Sequence, residues 1–100
     1  MVAVIGFAFS ASALTTSNLS VQSTEWGSTA VAFTINNQTS QSGWIDVIIH
    51  YEDSNGRARR YTNRMATTIL ANNYVNYRAY IRNFNRVLRI EVSWNRRGLI

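Results

Sequence analysis

Apolar and polar residues alternate one by one along several stretches of this chain, and no other feature constrains the fold as strongly. Ile45, Val47 and Ile49 fall on one side of an extended chain, whereas Asp46 and His50 fall on the other. Because successive side chains of a β-strand point to opposite faces, such alternation predicts strands that bury one face. No stretch has a convincing helical periodicity, so the pattern predicts an all-β fold.

Clusters of Asn, Ser, Gly and Thr separate the alternating runs and mark the predicted turns. In chain order the predicted strands cover residues 19–21, 30–35, 44–52, 57–64, 74–82 and 87–94. The predicted core consists of the residues on their inward faces: Val31, Phe33, Ile35, Ile45, Val47, Ile49, Tyr51, Val75, Tyr77, Ile81, Leu88, Ile90, Val92 and Trp94.

The polar residues after the third predicted strand indicate a hairpin that joins it to the fourth. Residues 53–56 read Asp-Ser-Asn-Gly, and Asn-Gly accepts the positive φ angles of tight turns. The return strand over residues 57–64 is polar on both faces, as is typical of an edge strand. Residues 65–71 fit either a short strand or a helical turn.

Length and composition limit the fold to one domain. The 100 residues, 46% of them apolar and 15% charged, are typical of an ordered globular protein with one core. Cysteine is absent, which excludes disulfides and thiolate metal sites. We therefore expect a single antiparallel β-sandwich over residues 15–100, preceded by an apolar segment over residues 1–14.

Four segments carry a resemblance to a known class of domain. They read LSVQS, TAVAFTINNQTSQSGWIDVIIHYED, ANNYVNYRAYI and VLRIEVSW, and together they span about residues 19–95. This order resembles the CARDB-like and fibronectin-III-like immunoglobulin domains of prokaryotic surface proteins, and the heads of archaeal pilins and other filament subunits. The resemblance implies an immunoglobulin-like sandwich at the cell surface.

The apolar segment 1–14 is the main pointer to assembly. As a strand it is apolar on both faces, which is expected of a strand that is buried on both sides. A neighbouring sandwich can bury it by β-strand addition, and head-to-tail repetition gives an open filament. The residues predicted to drive assembly are Val2, Val4, Ile5, Phe7 and Phe9.

Other interpretations of this segment stay open. It fits an internal first strand in the chain's own core, and it fits a short membrane-embedded helix of about 21 Å, as in pilins. Residues 11–13, Ala-Ser-Ala, also resemble a signal-peptidase site, although the positively charged region that precedes such a site is missing.

The charges are separated along the chain. Residues 1–56 have four carboxylates and no Arg, whereas residues 57–100 contain ten Arg and one Glu; the net charge of the chain is +5. Such asymmetry predicts a basic face with an acidic partner, which fits nucleic acid, a membrane or the acidic half of an identical subunit.

The outward face of the predicted strand 74–82 is the strongest candidate for an interaction surface. Its outward residues Tyr74, Arg78, Tyr80 and Arg82 interleave aromatic rings with guanidinium groups. This pattern fits a plain solvated sheet face, a protein contact, or a nucleic-acid or glycan surface. Two acceptor sequons, at Asn18 and Asn37, predict glycosylation.

No catalytic constellation emerges from the titratable residues. His50 is the single histidine, and Asp46 lies about 13 Å from it along an extended strand. We therefore predict no enzyme activity, no cofactor and no metal site. The predicted function is an extracellular structural subunit that polymerises into a filament or pilus; the alternatives are a secreted adhesin or ligand-binding module and an Arg-rich nucleic-acid-binding domain. The predicted partners are copies of itself and glycans, with nucleic acid ranked lower and membrane contact through residues 1–14 before assembly.

Overall fold

A computed structural model describes residues 14–99, with the side chains of 98 and 99 outside the description. The chain forms six strands: β1 (Leu14–Ser23), β2 (Ser28–Asn37), β3 (Gly43–Asp53), β4 (Ala58–Ile69), β5 (Tyr74–Arg82) and β6 (Phe84–Leu99). The predicted all-β fold is confirmed. In this part of the chain there is no helix long and apolar enough to cross a membrane.

The strands form two three-stranded antiparallel sheets. One has the order β1-β2-β5 and the other the order β4-β3-β6. β4 is an outer strand, as its polar sequence predicts. Most of the apolar segment 1–14 precedes the described residues, which contain only its last residue, Leu14.

The core lies between the two sheets. It contains the predicted inward residues of the two central strands together with neighbours from β4 and β5: Val31, Phe33, Ile35, Ile45, Val47, Ile49, Ile69, Ala79 and Ile81. Half-buried residues pack around it, among them Tyr51, Val75, Tyr77, Ile90, Val92 and Trp94. Ile69 is a core residue that the alternation did not predict.

The prediction that Leu88 is buried is wrong, because β6 contains a bulge at this position. His50 pairs with Arg89 and Tyr51 pairs with Val87, so Leu88 is an extra residue in the ladder. Leu88 is 45% exposed, and Val87 packs against the core in its place. An extra residue shifts the inward phase of a strand by one position.

Residues 65–69 continue β4 rather than forming a helical turn. A second irregularity lies here, since Ile45 pairs with Thr67 but Val47 pairs with Asn63. Met65 adopts a φ angle of 50°, and its N–H donates to Asp46 Oδ1 at 2.8 Å. This bend lets β4 reach the core again at Ile69.

The predicted hairpin between β3 and β4 is built around the buried carboxylate of Asp53. One oxygen accepts the N–H groups of Asn55 and Arg57 at 2.9 and 3.0 Å, and the other accepts Arg59 Nε–H at 2.9 Å. Gly56 takes the positive φ angle of the turn, 81°. The Arg57 N–H, followed by the Arg59 guanidinium, lowers the pKa of Asp53.

Replacing Asp53 with Asn should remove a stabilisation that depends on ionisation. Because the pKa of Asp53 is lower in the folded state, the stabilisation is complete above the unfolded-state pKa, about 3.9. It is lost as the pH falls through the folded-state pKa. We expect the urea midpoints of the native chain and of Asp53→Asn to differ at neutral pH and to converge in acid.

The control is Glu25→Gln, which removes an exposed carboxylate from the other hairpin and should reproduce the native curve. A midpoint difference for Asp53→Asn that stays constant from about pH 7 to pH 2 would contradict the assigned role of the carboxylate.

Candidate functional site

An open groove runs between the two sheets on the side formed by β1 and β6. It has a volume of about 370 Å³. β1 contributes residues 16–19, β6 contributes residues 87–90, and the nearly buried Phe33 of β2 completes the lining. The groove is therefore bounded by two outer strands from different sheets.

Each rim of the groove carries a bulge that presents a leucine. In β1 the pairing is irregular between Ser17 and Ser20, Asn18 has a φ angle of 55° and Leu19 is 51% exposed. On the other rim the bulge in β6 exposes Leu88. Bulges commonly redirect a side chain at a sheet edge, and here two of them place apolar groups at the same opening.

The outer edges of β1 and β6 are also free for hydrogen bonding. Within residues 14–99 no strand pairs with either edge. Such edges present rows of unpaired N–H and C=O groups that attract a further strand. The groove thus combines apolar side chains with available backbone groups.

A side-chain hydrogen bond bridges the opposite side of the sandwich, between β4 and β5. Asn63 Nδ2 on β4 donates to the hydroxyl of Tyr77 on β5 at 2.9 Å. The ring of Tyr77 lies 5.5 Å from that of Phe33, centroid to centroid, and burial raises the pKa of Tyr77. Within residues 14–99 the two long sides of the sandwich therefore differ, because a side-chain hydrogen bond bridges the β4–β5 side and the groove opens on the β1–β6 side.

The predicted interaction surface lies on the outer face of the first sheet. Tyr74, Arg78, Tyr80 and Arg82 are all exposed and point away from the core. Tyr80 and Arg78 stand beside Ala30 and Ala32 of β2, so the sheet has a shallow trough along its central strand. Alternation predicts the exposure of these side chains, but not the trough.

The structure does not bring Asp46 and His50 together. His50 Nε2 lies 2.8 Å from Glu91 Oε1, and this contact is the main cause that lowers the pKa of Glu91. Asp46 Oδ1 instead accepts the Asn95 amide at 3.0 Å and the Met65 N–H. Within residues 14–99 no three His, Cys, Asp or Glu side chains converge on a metal-binding position.

Some of the charges that are separated along the sequence pair with each other inside one domain. Asp53 pairs with Arg59 at 2.9 Å and Glu52 pairs with Arg86 at 3.2 Å. Two of the four carboxylates in the acidic half are thus neutralised by the same copy. Arg78 and Arg82 form no ion pair with the described residues, so no direct contact with a carboxylate neutralises them.

The two predicted glycosylation positions differ in accessibility. Asn18 is exposed, whereas Asn37 is 3% exposed and donates its amide to the carbonyls of Gln41 and Leu70 at 2.7 and 2.9 Å. A glycan would replace one of these N–H groups and has no room there. Glycosylation of Asn18 stays a prediction, and in the folded domain Asn37 has a structural role.

The predicted assembly residues, Val2, Val4, Ile5, Phe7 and Phe9, lie outside the described residues. No family model matches the chain. No curated protein and no solved structure matches it either. The features that bear on function are therefore the groove, the exposed faces and the sequence itself.

Proposed function

We propose that this chain is an extracellular structural subunit that polymerises into a filament or pilus. In each contact, residues 2–9 of one copy add as a strand to the β1–β6 groove of the next copy. The observation that carries the proposal is the apolar groove flanked by two free strand edges. The segment 2–9 has the matching chemistry, because it is apolar and uncharged along its whole length.

The strand order supports an immunoglobulin-like arrangement in which the place of strand G is vacant. In immunoglobulin sandwiches strands A, B, E and D form one sheet in that order, and C, F and G form the other. β1, β2 and β5 occur in the places of A, B and E, and β3 and β6 in the places of C and F. Strand G would lie along the outer edge of β6, where residues 14–99 provide no strand. A donated strand there would complete the sandwich.

The two faces of the donor segment differ in size, which favours one orientation. As a strand, Ile5, Phe7 and Phe9 lie on one face, whereas the other face has smaller residues such as Gly6 and Ala8. The large face suits the groove, where it meets Phe33 and the two exposed leucines. The small face then points outward.

The free energies indicate that assembly needs both the burial of side chains and the pairing of backbone groups. Burying the three large apolar side chains of the inward face, Ile5, Phe7 and Phe9, at about 1.5–3 kcal/mol each gives roughly 4.5–9 kcal/mol. Association costs about 4–15 kcal/mol in lost freedom before any ordering of the segment. Strand pairing along the edge of β6 would add backbone hydrogen bonds, each worth about 0.5–1.5 kcal/mol net.

The residues that join the segment to β1 favour donation to a neighbour. Leu14 pairs with Asn37 at one end of the sandwich, and a segment that continues the line of β1 leaves the domain there. To enter its own groove, the chain must reverse within residues 10–13. These read Ser-Ala-Ser-Ala and lack the Asn-Gly and Asp-Gly pairs of two-residue hairpin turns.

Light scattering and electron microscopy of the full chain test the proposal. We expect large particles with a repeating structure from the full chain. The chain without residues 2–10 should be unassembled, soluble and folded by circular dichroism. Phe7→Asp should act like the deletion, because it places a charge on the face that enters the groove. Ala8→Asp is the matched control, since it places the same charge on the outward face and should still assemble.

A stable full-length monomer whose deletion variant unfolds would show that the segment is an internal strand, and would favour the binding-module alternative. The nucleic-acid alternative predicts instead a small species that shifts a labelled oligonucleotide, with a steep dependence on salt.

A further inference from the structure

Trp26 is displayed to solvent on a firmly built turn. Its side chain is 75% exposed, although burial of a large aromatic side chain is strongly favourable. Thr24 fixes the turn, because its hydroxyl donates to the Ser28 carbonyl at 3.0 Å and accepts the Trp26 N–H at 3.2 Å. Gly27 takes the required positive φ angle of 79°. Trp26 is therefore an exposed residue of an ordered hairpin.

The Trp26 turn forms one end of the trough on the outer face of the first sheet. A groove of about 410 Å³ runs here, which is within the range of about 300–1,000 Å³ that is typical of ligand sites. Ala30 of the central strand pairs with Gln22 on one side and Tyr80 on the other. Because alanine is small, its larger neighbours form the two walls.

The groove has the chemistry of a saccharide site. Trp26 and Tyr80 offer exposed rings on which the C–H face of a pyranose can stack, and Gln22, Glu25 and Arg78 offer planar groups that donate to or accept from hydroxyls. The charges of Glu25 and Arg78 balance, which suits a neutral ligand. A nucleic acid would bring a phosphate charge toward Glu25.

We propose that this groove, defined by Gln22, Glu25, Trp26, Arg78 and Tyr80, binds a neutral oligosaccharide. The inference is independent of assembly, because the groove lies on the outer face of the sheet, whereas the β1–β6 groove opens between the two sheets. The chain would then have a lectin-like activity whether or not it polymerises.

Tryptophan fluorescence and calorimetry of the full chain test the site, with cellotetraose, chitotetraose and maltotetraose as probes. The chain has three Trp; Trp44 and Trp94 are half-buried, so a bound sugar should change mainly the emission of Trp26. We expect at least one probe to bind, and we expect Trp26→Ala and Tyr80→Ala each to weaken that binding by about tenfold or more.

Tyr74→Ala is the matched control. Tyr74 is a similarly exposed tyrosine, 60% against 53% for Tyr80, on the same strand and face but outside the groove, and its loss should leave the affinity unchanged. The proposal is overturned if none of the three sugars binds, if Tyr74→Ala weakens binding as much as Tyr80→Ala, or if the groove variants lose affinity for oligothymidylate instead of for sugars.

Discussion

Replacing Phe33 with alanine is expected to lower the free energy of unfolding by about 3–5 kcal/mol. Phe33 is 3% exposed, its ring packs near Tyr77, and it lies between the two sheets. Its truncation removes apolar contacts and leaves a cavity that the surrounding side chains fill only in part. Urea denaturation, followed by circular dichroism, measures the loss.

A matched pair in β6 tests the strand register in the same experiment. Val87→Ala should cost more stability than Leu88→Ala, although leucine is the larger residue, because Val87 packs on the core and Leu88 is half exposed. Leu88→Ala should change the free energy by only about 0.5 kcal/mol. The reverse order, or a cost near zero for Phe33→Ala, would contradict the bulge or the core.

Two assembly-defective copies are expected to pair with each other when they are mixed. Phe7→Asp disrupts the donor segment, residues 2–9, and leaves the β1–β6 groove unchanged. Leu88→Asp places a charge on the groove rim and leaves the donor segment unchanged. Each variant alone should stay unassembled. In the mixture, the donor of the Leu88→Asp copy enters the groove of the Phe7→Asp copy, and chain growth stops at a one-to-one dimer. Light scattering coupled to size exclusion measures the doubled mass.

Leu70→Asp is the control for added charge, because Leu70 is 62% exposed in the β4–β5 turn and lies outside the groove. This variant should assemble like the native chain. Since the chain has no cysteine, Phe7→Cys and Leu88→Cys copies also allow a clean test by disulfide cross-linking. Normal assembly of Leu88→Asp, or a mixture that stays monomeric, would contradict donation into this groove.

The alternation of apolar and polar residues predicted the strands that have one clearly apolar and one clearly polar face. The fifth strand matches its predicted bounds, residues 74–82, and Val31, Phe33 and Ile35 are buried as expected. Alternation gives the period of a strand, but it gives the phase only when one set of positions is polar. Val87 and Leu88 are both apolar, so the local pattern accepted either one as the inward residue, and the bulge decided between them.

The candidate sites were harder to predict, because they combine residues that are far apart in sequence. The exposure of Tyr80 followed from its own strand, whereas its position across Ala30 from Gln22 depends on the register of three strands. Asn37 matches an acceptor motif, yet its burial depends on two loops that supply carbonyl partners. The residue pattern within one strand does not show which residues of other strands and loops lie beside it.

The two bulges that face each other across the β1–β6 groove restrict how any added strand can align. A regular edge repeats every two residues and tolerates sliding by one repeat, so it gives weak control of register. A bulge interrupts this repeat and divides the edge into two shorter ladders. A strand entering between Leu19 and Leu88 would meet both interruptions, which favours some alignments over others. In the proposed polymer, every contact of this kind would then set the same distance between subunits, and the two bulges would fix that distance.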